Sequence, residues 1–126
     1  MNTSWNWTPT LIFGAVVAVF FLFRRAGQLS AKDTLAHLKN GALLIDVRSP
    51  GEFNSGHLLT AINIPLDEIG TVLPRRVKEK NQALLLHCQS GMRSGMAKKT
   101  LNGMGYTNAF NLGSYGRAES ILNRQK

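Results

Sequence analysis

LLLHCQSGMRSGMA, residues 84–97, contains the one cysteine of the chain and decides how the sequence around it is read. The apolar run of residues 82–88 has the length and composition of a buried strand, and it delivers Cys88 at its end. Gln89, Ser90, Gly91 and Met92 are small or flexible, Arg93 stands five positions beyond the thiol, and Ser94 follows it. Residues 94–105, SGMAKKTLNGMG, read as a helix that Gly95 and Gly103 weaken. A strand that ends on a thiol and turns at once into a helix places that thiol at a strand's carboxyl end. In open α/β sheets this is where ligands bind.

The same alternation runs in both directions. Ser30 is placed to cap a helix over SAKDTLAHLKNG, with Asp33 three residues on, Leu35 and Leu38 on one face and Asn40-Gly41 as the stop. ALLIDV, residues 42–47, reads as a short buried strand; AINIP, residues 61–65, is another, and LDEIGTVL after it is a short helix. TNAFNL, residues 107–112, gives a last strand and RAESILNRQK a last helix. Strand–helix alternation implies an α/β domain with a parallel sheet flanked by helices, here over residues 30–126.

The N-terminus is built differently. Thirteen consecutive apolar or glycine residues, 11–23, are closed by Arg24-Arg25, with Trp5 and Trp7 upstream and Pro9 placed to open a helix. No basic residue precedes the run and Phe-Arg-Arg-Ala follows it, which does not fit a cleaved signal peptide. In so small a domain, a helix apolar on every face does not fit a core element either. Residues 1–25 are therefore expected to be a membrane anchor, with one transmembrane helix over about 9–25 and residues 26–29 as linker. The arginine pair then orients it with the N-terminus outside and the domain in the cytoplasm, at the inner membrane in a bacterium. A reducing cytoplasm suits a free thiol.

Charge narrows the partners. Fifteen Lys and Arg against seven Asp and Glu give a net charge of +8, but the basic residues are scattered and no aromatics interleave with them. A nucleic-acid surface is not expected. The basic stretch of residues 75–80 reads as a solvated helix face. One cysteine forms no intrachain disulfide, and metal clusters need more ligands than this, so neither a metal nor an organic cofactor is expected.

The residues after Cys88 supply a chemistry. Main-chain N–H groups of residues 89–92 curl into a concave anion site, the helix starting near Ser94 presents its positive end, and Arg93 adds a full charge. All three favour thiolate over thiol and make Cys88 a nucleophile rather than core filling. His87 lies on the opposite side of the strand and has no place in this mechanism.

Residues 46–65 (DVRSPGEFNSGHLLTAINIP), 88–94 (CQSGMRS) and 105–112 (GYTNAFNL) together resemble a single-domain rhodanese, over roughly residue 30 to the C-terminus. The resemblance implies that Cys88 carries a sulfane sulfur as a persulfide. The backbone of Gln89, Ser90, Gly91, Met92 and Arg93 would cradle that sulfur, Arg93 would close the cradle, and Ser94 would end the loop. Asp46 and Arg48 match the Asp-x-Arg pair that the family keeps near its pocket. Implied partners are a small sulfane donor, thiosulfate or a persulfide, and a thiol or cyanide acceptor. Cysteine-dependent phosphatases use a loop one residue longer, which fits a tetrahedral oxyanion, so the shorter loop favours sulfur.

Three departures from the family pattern matter. The loop offers Gln89, Ser90 and Met92 where active thiosulfate enzymes often place bases, so thiosulfate would be drawn by Arg93 and the backbone alone. Leu59-Thr60 replaces the usual Pro-Gly after His57, and Gly113-Ser114-Tyr115-Gly116-Arg117 lacks the family's tryptophan. His57 is expected to bond backbone; Met92, Met96 and Met104 are expected to pack. The competing reading is a membrane-tethered rhodanese-fold module that recruits a membrane protein, with little catalysis. The retained cysteine favours the enzyme.

Overall fold

The computed structural model describes residues 6–125. Its sheet has four parallel strands in the order β2-β1-β3-β4: β1 Leu43–Asp46, β2 Ile62–Asn63, β3 Leu84–Cys88 and β4 Ala109–Ser114. β1 pairs with β3 from Leu43 opposite Leu84 to Asp46 opposite His87. Between β3 and β4 the register shifts after Leu86, so that Cys88 faces Ser114. All five residues of β3 are buried. Each of its leucines contributes about 1.5–3 kcal/mol by leaving water.

Alternation along the central strands divides the core in two. Ile45, Leu84, Leu86 and Cys88 pack beneath α4 (Ile69–Arg76) and α5 (Met92–Gly103), with Leu73 and Leu101. Leu44 and Leu85 point the other way, toward α2 (Ala31–Lys39), α3 (Pro50–Ser55) and α6 (Tyr115–Asn123), and meet Leu38, Phe53 and Ala118. His87 therefore lies across the sheet from Cys88, as the period of two requires.

Several local expectations hold. Ser30 caps α2, its Oγ accepting from the Asp33 N–H at 3.1 Å, and Asn40 ends the helix. LDEIGTVL forms a 3-10 turn, Leu66–Glu68, that leads into α4. That helix stops at Arg76, so residues 78–80 are not the helix face expected of them; Lys80 instead donates to the Met104 carbonyl at 3.1 Å and sits over the Tyr106 ring. Nor are residues 28–29 a linker. Gln28 bridges to Asn111, and the Leu29 N–H donates to the Asn111 carbonyl at 3.1 Å, joining both to the edge of the sheet beside β4.

The apolar N-terminal run forms α1, Thr8–Ala26. Among the described residues no helix is long and apolar enough to cross a membrane. The apolar part of α1 is short. Its unbroken apolar stretch of thirteen residues rises only about 20 Å, short of a hydrocarbon core of about 30 Å. The large apolar side chains of α1, among them Leu11, Phe13, Phe20 and Phe23, are nonetheless exposed rather than packed into the domain. Trp5, expected in the aromatic belt, and the side chains of Arg24 and Arg25 lie outside the described structure.

The turn without Pro-Gly closes by a strained route. The Ala61 N–H donates to the Leu58 carbonyl at 3.1 Å, and Thr60 takes φ +82°, a left-handed conformation that β-branched residues avoid. Thr60→Gly relieves that strain and returns part of the gain as unfolded-chain entropy, leaving a stabilisation of about 1 kcal/mol. Thermal unfolding should show a midpoint several degrees higher. A lower midpoint would mean that the threonine side chain holds the turn.

Candidate active site: a thiol under main-chain amides

Gly91 makes the site. At φ +94° it reverses the chain between β3 and α5, and its N–H donates to Cys88 Sγ at 2.9 Å. The main-chain N–H groups of Ser90 and Ser94 and the Ser94 hydroxyl, 3.5 Å away, converge on the same sulfur. Burial pushes the thiol's pKa up, but these hydrogen bonds outweigh it, and the net shift is downward. Cys88 is fully buried, so the amides face an enclosed sulfur from the loop side.

A layer of polar contacts holds the loop from below. Asn111 Nδ2 donates to the Gly91 carbonyl at 3.1 Å, while its Oδ1 accepts from the Ser94 hydroxyl at 2.7 Å and from the Gly113 N–H at 2.8 Å. The one Ser94 proton has two acceptors, Asn111 Oδ1 and the sulfur, and Asn111 is the nearer; rotation toward Sγ gives the thiolate a further donor. Gly113 is also left-handed at φ +94°, and a Cβ there would lie 2.7 Å from the Gln28 amide nitrogen and displace that side chain. Asn111 and Gly113 lie in stretches that carry the family resemblance, but neither those stretches nor Gln28 signals a place under the loop. Only the strand order and the register shift bring them under the loop.

Arg93 is paired on the outer side of the loop, while its charge still acts on Cys88. Its guanidinium forks onto Glu52 at 2.6 and 2.9 Å, and side chains of both residues are about one-third exposed. The hydrogen bond from Arg93 is the main reason the Glu52 carboxyl titrates down at about 2. Glu52 comes from α3, whose start is a full capping box: Ser49 Oγ accepts from the Glu52 N–H, and Glu52 Oε1 accepts from the Ser49 N–H. Ser-Pro-x-Glu at residues 49–52 is a visible signal for that helix, and it is the one from which Glu52 could have been found. Beside the pair lies a groove of about 430 Å³ bordered by Val47, Pro50, Leu66, Asp67, Glu68 and Arg93.

A nucleophilic thiol ringed by amides between a parallel strand and a helix agrees with the family comparison, in which residues 30–116 match the model of the rhodanese-like domain. The chain belongs to the rhodanese-like family. It is 42% identical over 69 residues to the thiosulfate sulfurtransferase PspE of Escherichia coli, an alignment covering 55% of this chain and 66% of the relative. It is 35% identical over 81 residues to the thiosulfate:glutathione sulfurtransferase of Saccharomyces cerevisiae, covering 52% of this chain and 55% of that one. These curated relatives are thus matched over less than two thirds of their length. Among solved structures, a rhodanese with anions from E. coli superposes with a TM-score of 0.59 at 38% identity, covering 61% of this chain and 91% of that one. The human single-domain sulfurtransferase TSTD1 gives 0.63 at 26% identity, covering 75% and 96%.

In this rhodanese-like domain, Asp46 and Arg48 form a buried ion pair. Asp46 accepts from the Arg48 main-chain N–H at 2.9 Å, from Nε at 3.0 Å and from Nη2 at 2.8 Å. Arg48 also donates to the Gly56 carbonyl and stacks over the Tyr115 ring; its link to the loop is a long contact to Gln89 Oε1 at 3.5 Å. The geometry makes the pair a brace for the fold rather than a group facing the sulfur. His57 bonds backbone as expected, its Nδ1 lying 2.9 Å from the Phe53 carbonyl. Met104 packs on the core, but Met92 and Met96 do not: at one turn's spacing on α5 both face solvent, 64% and 59% exposed, beside the loop.

Proposed function

We propose that this protein is a membrane-attached sulfurtransferase in which Cys88 takes a sulfane sulfur from a donor, carries it as a persulfide and gives it to a thiol or cyanide. The observation that carries the reading is the Gly91 N–H aimed at Cys88 Sγ from 2.9 Å, in a loop whose other amides add to it. With thiosulfate, the Cys88 thiolate attacks the outer sulfur, the S–S bond breaks, and sulfite leaves with the bonding pair. An acceptor thiolate then attacks the outer sulfur of the persulfide and frees the Cys88 thiolate. Charge is conserved in both half-reactions, and no proton or oxidant enters. The bound sulfur is anionic before and after loading, which is the charge that fixed main-chain dipoles stabilise best. Because Cys88 is fully buried, a donor reaches it through a movement of the loop. Similarity to the E. coli and yeast enzymes supports thiosulfate as a donor class and a low-molecular-weight thiol as an acceptor class.

Attachment would be through α1, whose exposed apolar side chains suit lipid better than water. Its short apolar stretch would be accommodated by local thinning of the bilayer, with Trp7 at one interface and Arg24-Arg25 at the other. The arginine pair would keep the domain in the cytoplasm.

One preparation tests both parts. Full-length protein in native membranes should stay in the pellet after alkaline carbonate extraction and gain one sulfur atom by mass after thiosulfate treatment. Cys88→Ser should stay in the pellet and gain none, whereas deletion of residues 1–26 should move the protein to the supernatant. A wild type that gains no sulfur from any sulfane donor overturns the enzyme reading; full-length protein released by carbonate overturns the anchor.

A further inference from the structure

We infer that Glu52 is a specificity residue: by occupying the Arg93 guanidinium it turns the site away from dianionic sulfur donors and toward donors of lower charge. The inference rests on the sulfurtransferase reading and deepens it. Among the described residues Arg93 is the single cation bordering the groove beside the loop, and both of its fork positions are taken by the Glu52 carboxylate. The other nearby arginine, Arg48, is matched in the same way by Asp46. Within the loop Gln89, Ser90 and Met92 are uncharged, and Asp67 and Glu68 border the same groove as Arg93. The mouth therefore has no unmatched positive charge among the described residues, although the chain carries +8 overall. A donor arriving there meets amides that stabilise one negative charge on sulfur, and nothing further to hold a second.

The pair does not release Arg93 on its own in neutral solution. The Glu52 carboxyl, held at about 2 chiefly by the hydrogen bond from Arg93, stays ionised at any ordinary pH. Its position is fixed twice over, since the Ser49 N–H and hydroxyl also donate to Oε1. The exposed Met92 and Met96 next to the loop extend an apolar rim that suits an organic donor better than a small inorganic dianion.

Two donors of nearly the same shape separate charge from everything else. Thiosulfate carries two negative charges and leaves as sulfite. Methanethiosulfonate replaces one oxygen anion by a methyl group, carries one charge and leaves as methanesulfinate. Coulomb energy scales with the donor's charge, so removing one negative charge from the mouth should act on thiosulfate by the square of its effect on methanethiosulfonate. In full-length Glu52→Gln, which keeps an oxygen for Ser49, kcat/KM should rise about tenfold for thiosulfate and about threefold for the monoanion, mostly through KM. Added salt should shrink the difference. Asp67→Asn neutralises a groove carboxylate without freeing Arg93 and should raise the thiosulfate value less than Glu52→Gln does. Glu52→Ala gives up the helix cap but frees Arg93 equally, and serves if the amide is not tolerated. Equal changes for both donors, a fall for thiosulfate, or a rise in Asp67→Asn matching that of Glu52→Gln would overturn the assignment. If wild-type Cys88 gains sulfur from neither donor this inference fails, and if it gains none from any sulfane donor the sulfurtransferase reading fails with it.

Discussion

Gly91→Ala lowers sulfur loading of Cys88 by about a hundredfold and moves the acid limb of the pH–rate profile to higher pH. A methyl group at this position would lie 3.1 Å from the Cα and 3.2 Å from the carbonyl carbon of Gly113, backbone atoms that have no rotamer to retreat into. The φ of +94° adds strain of about 1–3 kcal/mol for any side chain. Both effects pull residue 91 away from the sulfur, and with it the N–H that donates to Sγ at 2.9 Å. Losing one preorganised donor to a developing or resident anion typically lowers a rate about 10²–10³-fold. The sign of the pH effect follows from the balance at Cys88: burial raises the thiol's pKa, and the hydrogen bonds from Ser94, Gly91 and Ser90 bring it below the ordinary value. Without the Gly91 bond burial has less opposition, the pKa rises, and at neutral pH less of the sulfur is thiolate. Iodoacetamide alkylation followed across pH measures this directly. Gly103→Ala, with open space around its Cβ and an ordinary helical backbone, is the control and should leave the thiol's titration where it was. An unshifted alkylation profile in Gly91→Ala would mean that this amide does not stabilise the thiolate.

What the sequence made legible follows the range of the forces involved. β3, the loop and α5 were readable because strand period, glycine punctuation and the strand–helix order are local, and the thiol's surroundings come from that one stretch. Helix α5 begins at Met92 rather than Ser94 because Gly91 starts it without a side-chain cap, which leaves no polar signal at the true start. The partner of Arg93 was not legible. Glu52 is 41 positions away, and its capping role, visible locally, gives no hint that the second oxygen reaches across to α5. Asn111 and Gln28 were hidden for a related reason: an extra residue in β4 and a parallel bridge at the sheet edge set which side chains lie under the loop. Met92 and Met96 were misplaced because methionine on a helix is usually buried, whereas the face of α5 that carries them has no element packed over it. The transmembrane expectation included the flanking tryptophans and arginines, whereas only the apolar stretch counts toward hydrocarbon thickness, so the attachment proposed through α1 requires the bilayer to thin around it.

Asp46→Ala destabilises the domain by about 3–5 kcal/mol, enough to remove a large share of a total of about 5–15 kcal/mol. Asp46 is fully buried and Arg48 is 5% exposed, so removing the carboxylate leaves a guanidinium in the interior with the Gly56 carbonyl, the Tyr115 ring and a distant Gln89 as company. His87 gives no compensation. Burial foremost pushes its pKa down, and of the two groups that favour its charged form, Asp46 at 3.8 Å and the Cys88 backbone, the variant removes the stronger. Denaturant unfolding should show the loss as a lower midpoint with an unchanged slope. Arg48→Met is also destabilising, because Asp46 then keeps only the main-chain N–H of residue 48. The double variant Asp46→Leu/Arg48→Met decides what the pair is for. If it braces the fold, joint replacement by apolar groups recovers most of the lost stability, and sulfur loading of Cys88 returns with it. If Arg48 instead acts on the donor through Gln89, the double variant folds but loads sulfur no better than a loop variant. Buried burden and catalytic need thus give opposite outcomes in one protein, and the 3.5 Å separation from Gln89 against 2.8 Å to Asp46 favours the brace.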